Sequence, residues 1–193
     1  MADQGCGQGT GAGAAMAENA ALELFQIAAL LLGNETEALG LVEATIAEVE
    51  IDPCADASAA GEIAQQRLVE GAIRRMDEQD PKAFALDAEP SGPAGCIEGD
   101  DITAAGLSPA KLADLIGGSG RDRLRRWLDQ LPLAQRVIFV QRAILGRDNT
   151  STANTILESL SASAGWNAER VSQLFRQALC SLANSLVHAA SMA

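Results

Sequence analysis

The chain has 193 residues, 48% of them hydrophobic and only 3% aromatic, which is enough for a buried core and favours helix over a strand-rich sandwich or barrel. The sequence therefore predicts an all-α protein. A single histidine, His188, argues against an acid/base relay or a multi-histidine metal site, so we expect no enzymatic activity, metal or cofactor.

Charge divides the chain into two unlike parts. Through Asp101 it carries 20 acidic residues against four basic ones, whereas from Ile102 onward it carries ten basic residues against six acidic ones. Because an acidic segment repels a phosphate backbone, any contact with nucleic acid is expected from the C-terminal part. The acidic N-terminal part is alternatively explained as a surface that only keeps the protein soluble.

The four cysteines are scattered at Cys6, Cys54, Cys96 and Cys180, with no Cys-x-x-Cys pair. This spacing indicates neither a zinc site nor a disulfide framework, so we expect ordinary reduced thiols. No stretch approaches the ~20 apolar residues that a membrane-spanning helix needs, and the N-terminus lacks the pattern of a signal peptide. The sequence therefore predicts a cytoplasmic protein without membrane contact.

The N-terminal part begins with a segment rich in Gly, Ala and Gln, residues 1–18, which is typical of a disordered tail. Residues 19–78 follow with the helical period of apolar residues, and Gly33-Asn34 is a stop signal. Three helices are expected, from Ala20 to Leu32, Glu35 to Val49 and Ser58 to Met76. They predict a minimal helical bundle.

A Pro/Gly/acidic stretch, residues 79–106, predicts a flexible linker between two bundles. Helical periodicity resumes in residues 107–193, where Ser108 and Pro109 form an N-cap followed by a first-turn proline. Five helices are expected, from Leu107 to Ile116, Arg121 to Gln130, Pro132 to Leu145, Ser151 to Leu160 and Asn167 to Ala190.

The last two predicted helices, joined by a turn at Ser161–Gly165, have the plan of a helix-turn-helix, whose second helix presents side chains to the major groove. Arg pairs well with guanine, and Gln or Asn with adenine. The candidate DNA-binding residues are Asn167, Arg170, Gln173, Arg176 and Gln177, with Arg121, Arg123, Arg125 and Arg126 for phosphates. A plain helical hairpin is the alternative to this interpretation.

Two motifs carry a resemblance to a known family. Leu131, Pro132, Arg136, Ile138, Phe139, Arg142 and Gly146 have the spacing of the Leu-Pro-x-x-x-Arg segment that precedes a helix-turn-helix. The segments Leu30–Asn34 and Glu37–Thr45 look like Leu-Leu-Gly-Asp and Asp-Ala-Glu-Asp-Leu-Val-Gln-Glu of a promoter-melting domain. The chain resembles bacterial sigma factors of the extracytoplasmic-function type.

This resemblance implies transcription initiation by a protein that binds core RNA polymerase and promoter DNA, with an anti-sigma or other regulatory protein as a further partner. Polymerase contact is expected from Glu37, Leu41, Val42 and Glu43, and base contact from Arg170, Gln173 and Arg176. The chain departs from the family at Leu39 and Gly40, which replace acidic residues, and it has no aromatic residue between Gly33 and Met76 to stack on melted bases.

Two other functions stay open. The first is a degenerate sigma-like adaptor that binds polymerase or a regulator without promoter recognition, which the acidic N-terminal part and the missing aromatics favour. The second is a carboxylate enzyme or ligand-binding bundle that would use Glu35, Glu37 and Glu43. These glutamates are more simply explained as solvated residues that complement the dipole at a helix start.

Overall fold

A computed structural model of the chain describes residues 10–48, 57–85, 96–160 and 165–191. These ranges contain helices and no strand, which confirms the predicted all-α class. Their eight α-helices are α1 (Thr10–Leu32), α2 (Glu35–Glu48), α3 (Ala57–Gln79), α4 (Pro109–Gly117), α5 (Arg121–Leu128), α6 (Leu133–Phe139), α7 (Asn149–Ser159) and α8 (Ala168–Ser191). The chain divides into two compact units, and the division falls within α3, between Ala72 and Ile73, rather than in the predicted linker.

The first unit packs α1, α2 and the part of α3 up to Ala72 around an apolar core. Gly33, at φ +70°, ends α1, and the Asn34 side-chain oxygen accepts hydrogen bonds from the N–H groups of Thr36 (2.9 Å) and Glu37 (3.2 Å). Helix α1 thus ends at the predicted Gly33-Asn34 signal, and Asn34 is the N-cap of α2. The core residues include Leu24, Ile27, Ala28, Leu31, Ala38, Leu41, Val42, Leu68 and Val69.

Helix α1 begins at Thr10, inside the segment predicted to be a disordered tail. Residues 10–18 are rich in alanine, the residue with the highest helix propensity, so this stretch extends the helix that the apolar period predicted only from Ala20. Residues 1–9 lie outside the described part of the chain.

The second unit is built around Phe139 at the end of α6, where every residue from Ala134 to Phe139 is buried. The Phe139 ring packs edge-on to Trp127 of α5, with centroids 4.8 Å apart, and lies 6.2 Å from Phe175 of α8. Trp127 also donates a hydrogen bond from Nε1 to Ser181 Oγ at 3.1 Å. One aromatic cluster therefore joins α5, α6 and α8.

A π-helical segment, Val140–Ile144, continues α6 where the sequence predicted an uninterrupted helix to Leu145. Gly146, the glycine of the sigma-like motif, follows with φ +66°, a conformation that residues with a Cβ rarely adopt. This segment widens the helix at Arg142, and single-turn π segments are frequent at functional positions.

The described parts of the predicted linker, residues 80–85 and 96–106, are packed rather than flexible. Phe84 is 5% exposed, and its carbonyl accepts a hydrogen bond from Trp166 Nε1 at 3.3 Å. Asp101 caps a 3₁₀ turn, Ile102–Ala105, by accepting from the Thr103 N–H at 2.7 Å. The predicted flexible tether is therefore wrong for these residues, and residues 86–95 lie outside the described chain.

Among the described helices, none combines the length and the apolar composition needed to cross a lipid bilayer. The same residues contain no group of three His, Cys, Asp or Glu side chains arranged to hold a metal ion.

Candidate nucleic-acid interface

Helix α8 begins at a cap formed by Asn167. The Asn167 Oδ1 accepts a hydrogen bond from the Arg170 N–H at 2.9 Å, and its Nδ2 lies 3.5 Å from the Gly165 carbonyl. The cap uses one of the two lone pairs of the carboxamide oxygen and fixes the orientation of the Asn167 side chain. Asn167, predicted as a base-contacting residue, is thus the exposed N-cap of α8.

Arg170 and Gln173 lie one helical turn apart and both are half-buried. Arg170 Nη1 donates a hydrogen bond to Gln173 Oε1 at 3.3 Å. The two side chains border an open depression of about 320 Å³, which Gly165, Asn167 and Glu169 also line. A guanidinium and a carboxamide on one face of a helix are suited to base edges or phosphates, and the Glu169 carboxylate limits how much negative charge the depression accepts.

Arg176 and Gln177 continue along α8 with different surroundings. Arg176 is half-buried and lies on the helix between Ser172 and Cys180, four residues from each. Gln177 Oε1 accepts a hydrogen bond from Nε2 of Gln135, a residue only 6% exposed, at 3.1 Å. Gln177 is thus bound to the interior of the second unit, and its predicted role in reading bases is not supported by this geometry.

Helix α5 has an apolar face made by Leu124, Trp127 and Leu128 and a basic remainder. The predicted phosphate ligands Arg121 and Arg125 are half-buried, whereas Arg123 and Arg126 are exposed. Arg126 Nε donates to the carbonyl of Asp122 at 3.1 Å, one turn earlier in the same helix. Helix α5 therefore presents positive charge to solvent, most accessibly at Arg123 and Arg126.

The first arginine of the sigma-like motif lies inside the protein. Arg136 is 6% exposed, donates from Nε to the Leu128 carbonyl at 2.9 Å and pairs with Asp129 Oδ1 at 3.4 Å. Burial lowers the pKa of the Arg136 guanidinium, and the neighbouring Asp129 charge opposes that shift. Arg136 thus ties the start of α6 to the end of α5 and is unavailable to DNA.

The second motif arginine, Arg142, is the centre of a polar cluster that the sequence did not indicate. Arg142 Nη2 donates to the Asp100 carbonyl (2.9 Å) and to Asp100 Oδ1 (3.0 Å), and Nη1 donates to the Arg147 carbonyl (2.7 Å). Its guanidinium carbon lies 5.0 Å from the centre of the Phe175 ring. Arg142 therefore connects the segment before the 3₁₀ turn to α8.

Asp100 is held from three sides. Its Oδ2 accepts a hydrogen bond from Asn149 Nδ2, and the Ser172 side chain of α8 also bonds to its carboxylate. Burial alone would raise the pKa of Asp100, but the hydrogen bonds from Asn149, Arg142 and Ser172, with the charge of Arg142, bring the pKa below its ordinary 3.8. Asp100 is therefore anionic and fixed beside α8.

A disulfide joins Cys96 to Cys180, with the two Cα atoms 5.8 Å apart, so the prediction of reduced thiols is wrong for this pair. The two cysteines are 84 residues apart in the chain, and only the folded second unit brings the segment before Asp100 against α8. Cys96 is exposed and Cys180 is 4% exposed. Cys6 and Cys54 lie outside the described residues.

The four predicted polymerase-binding residues lie on α2 of the first unit, but they do not share one surface. Glu37 and Glu43 are exposed, whereas Leu41 and Val42 are only 3% and 4% exposed. Two apolar residues that the prediction passed over, Leu39 and Ile46, are 51% and 47% exposed. The spacing of Leu39, Glu43 and Ile46 places them on one helix face, which is the accessible surface of α2.

The second unit thus presents a long helix with Arg170, Gln173 and Arg176 toward solvent and an acidic segment fixed beside it by Asp100 and Cys96. No protein-family model, curated protein or solved structure matches this chain.

Proposed function

We propose that this protein is a sigma-like transcription initiation factor that binds promoter DNA through α8 and core RNA polymerase through the first unit. The observation that carries the proposal is the two-sided character of α8. Val171, Leu174 and Phe175 are buried, while Arg170, Gln173 and Arg176 recur at intervals of three residues on the side that reaches solvent. This is the pattern of a helix that packs on its own domain and reads a groove.

Helix α7 supplies the brace that a helix-turn-helix requires. Asp148 caps it by accepting from the Ser151 N–H at 2.7 Å, and Ile156 and Ala153 are buried in the second unit. Arg123 and Arg126 of α5 add exposed positive charge for phosphates. The sigma-like spacing of the motif around Arg136 and Arg142 agrees with this assignment, although both arginines have structural partners.

The polymerase contact is assigned to the exposed face of α2, with Glu43 as the charged group and Leu39 and Ile46 as apolar anchors. Leu41 and Val42 support this face from inside the core. A protein of this kind works in the bacterial cytoplasm, where polymerase and promoters are, and it makes or breaks no covalent bond. An anti-sigma or other regulatory protein is the natural further partner.

Equilibrium binding of a fluorescent DNA duplex across a series of salt concentrations tests the proposal. A contact between each arginine and a phosphate adds about 0.9 to the slope of log affinity against log salt. R170A/R176A is therefore expected to weaken binding and flatten the slope. Lys111→Ala is the matched control, because Lys111 is an exposed cation on a different helix, α4. A weak response that R170A/R176A leaves unchanged would contradict DNA binding through α8.

A degenerate sigma-like adaptor is the second candidate, favoured by two observations. Glu98, Asp100 and Asp101 place three carboxyl groups next to the candidate DNA-binding helix, and residues 34–75 contain no aromatic side chain to capture melted bases. Purified core polymerase separates the candidates. Binding to polymerase without promoter-dependent transcription supports the adaptor, and transcription from a promoter supports the initiation factor.

A further inference from the structure

Residues Cys96–Asp101 form a short acidic segment, here called the strap, that is attached to α8 at two points. Cys96 is bonded to Cys180, and the Asp100 carboxylate accepts a hydrogen bond from Ser172. Asp100 is also held by Arg142 and Asn149 of the same unit. The strap carries Glu98, Asp100 and Asp101 and no basic residue.

The two attachments fix the direction of the strap. Four extended residues, from Cys96 to Asp100, span about 13 Å, and the eight helical residues from Ser172 to Cys180 rise about 12 Å. The strap therefore runs antiparallel to α8 over this interval. Arg176 lies at the midpoint of the interval, one helical turn from each attachment, so the acidic strap lies along the helix face to which Arg176 belongs.

We propose that the strap is a redox-released cover for the nucleic-acid-binding side of α8. With the disulfide closed, the acidic strap runs past Arg176 and its negative charge repels a phosphate backbone; with the disulfide reduced, the strap moves away and α8 binds the duplex. The identity of the ligand rests on the proposed function, whereas release of the strap by reduction does not. In the cytosol, where the proposed function places this protein, disulfides are typically of this reversible kind.

The reductant is a dithiol, either a small molecule or a thioredoxin-like protein. Its thiolate attacks Cys96 Sγ, because Cys96 is exposed and Cys180 is buried, and the Cys180 thiolate leaves and takes a proton. The second thiolate of the reductant then attacks its own sulfur in the mixed disulfide and releases Cys96. Two electrons pass to the protein, which gains two thiols, and the dithiol becomes a disulfide.

After reduction, the Cys96 end of the strap loses its covalent attachment to α8, and the polar contacts of Asp100 hold the other end. The Asp100–Arg142 ion pair is partly solvated, with 32% and 18% of the two side chains exposed, so salt weakens this remaining attachment. The disulfide is thus the attachment whose loss shifts the strap from bound to released.

Cleavage by a glutamyl endopeptidase measures strap release directly, because Glu98 lies in the strap and is exposed. The protein used is the full chain with C6S/C54S, so that only Cys96 and Cys180 are reducible. Dithiothreitol is expected to speed cleavage after Glu98 at least tenfold, and C96S should be cleaved fast without it. Cleavage after Glu158 on α7 is the internal control and should not change. An unchanged rate at Glu98, or Cys96 and Cys180 found unpaired by mass spectrometry in the oxidised protein, overturns the proposal.

Duplex binding by the same two forms tests the covering role. Reduction should tighten binding about tenfold, the value of one good arginine contact, and R176A should remove most of that difference. Equal duplex binding by the oxidised and reduced forms would overturn the proposal that the strap covers α8. Faster cleavage after Glu98 with no duplex binding in either form overturns the proposed function, while reductive release of the strap stands.

Discussion

Asp100 and Arg142 are 42 residues apart in the chain, yet one guanidinium nitrogen of Arg142 donates both to the Asp100 carbonyl at 2.9 Å and to its carboxylate at 3.0 Å. A second nitrogen of Arg142 holds the Arg147 carbonyl, and the guanidinium lies over Phe175 of α8. The π-helical turn that bears Arg142 therefore places one side chain between the strap, the start of α7 and the candidate DNA-binding helix.

Replacing Asp100 by alanine is expected to lower the free energy of unfolding at pH 7 by about 1 to 2 kcal/mol, since the half-buried Arg142 and Asn149 lose a charged acceptor. Urea denaturation provides the measurement. Glu98→Gln removes a carboxylate of the same strap that is exposed, and it should leave stability unchanged within about 0.5 kcal/mol.

The same contact has a defined pH dependence. Because the pKa of Asp100 is lowered in the folded state, its contribution is fully present above the ordinary value of 3.8 and is lost as the pH falls through the lower folded value. The stability difference between the wild type and Asp100→Asn should therefore shrink as the pH falls below 3.8. A difference that stays constant from pH 7 to pH 2 would show that ionised Asp100 is not the stabilising species.

Phe84 tests whether the predicted linker is part of the folded second unit. Truncation of a buried phenylalanine typically costs about 3 to 5 kcal/mol, and Phe84→Ala also removes the edge-on contact with Trp166 at 6.4 Å. We expect a loss near the lower end of this range by urea denaturation. Leu22→Ala, at a residue 55% exposed, is the control and should change little. A neutral Phe84→Ala would mean that residues 80–85 are not packed in solution.

Local sequence signals predicted most of the secondary structure, and the starts of two helices illustrate this. Ser108 and Pro109 predict the start of α4, and the Ser108 side chain does accept from the Lys111 N–H, at 3.2 Å. Helix α7 begins at Asn149, two residues before the predicted start at Ser151, because the Asp148 side chain caps it by accepting from the Ser151 N–H. Such capping motifs involve residues three or four apart and can therefore be predicted from the sequence.

Contacts between residues far apart in the chain could not be predicted from the sequence. The composition around Cys96, Asp100 and Phe84 is that of a solvated linker, and each residue is fixed by a partner more than 40 residues away. Long-range partners also decide which of the predicted DNA-binding residues on α8 are held by the interior of the second unit. Arg170, Gln173 and Arg176 lie half-buried on α8, whereas the Gln177 side chain is hydrogen-bonded to Gln135, 42 residues earlier in the chain.

Gln173 and Gln177 should therefore respond differently to alanine. Gln173→Ala is expected to weaken duplex binding by about 1 kcal/mol or more if its carboxamide contacts a base, with stability unchanged. Gln177→Ala is expected to cost about 1 kcal/mol of stability, because the buried Gln135 loses its acceptor, with duplex binding per folded molecule unchanged. Urea denaturation measures the stability effect and fluorescence anisotropy measures duplex binding. Weaker duplex binding by Gln177→Ala, with no effect of Gln173→Ala on binding, would show that a different face of α8 contacts the bases.

Two variants of α2, one exposed and one buried, test whether the accessible surface of this helix binds polymerase. Glu43→Lys is expected to reduce the affinity for core RNA polymerase with little change in stability, since Glu43 is exposed. Leu41→Ala should cost about 2 to 5 kcal/mol of stability, because its side chain is buried in the core. Surface-immobilised polymerase provides the binding measurement, with Glu62→Lys on α3 as the charge-matched control. Equal effects of the two lysine variants would argue against a specific contact through α2.

The most direct test is an NMR titration of the reduced protein with a DNA duplex, observing the side-chain Nε–Hε signals of its 12 arginines. The account predicts that the signals of Arg170 and Arg176 shift most, those of Arg123 and Arg126 shift less, and those of Arg67, Arg74 and Arg75 on α3 stay in place. Perturbation confined to α3 or to α5, with Arg170 and Arg176 unmoved at saturating duplex, would contradict it.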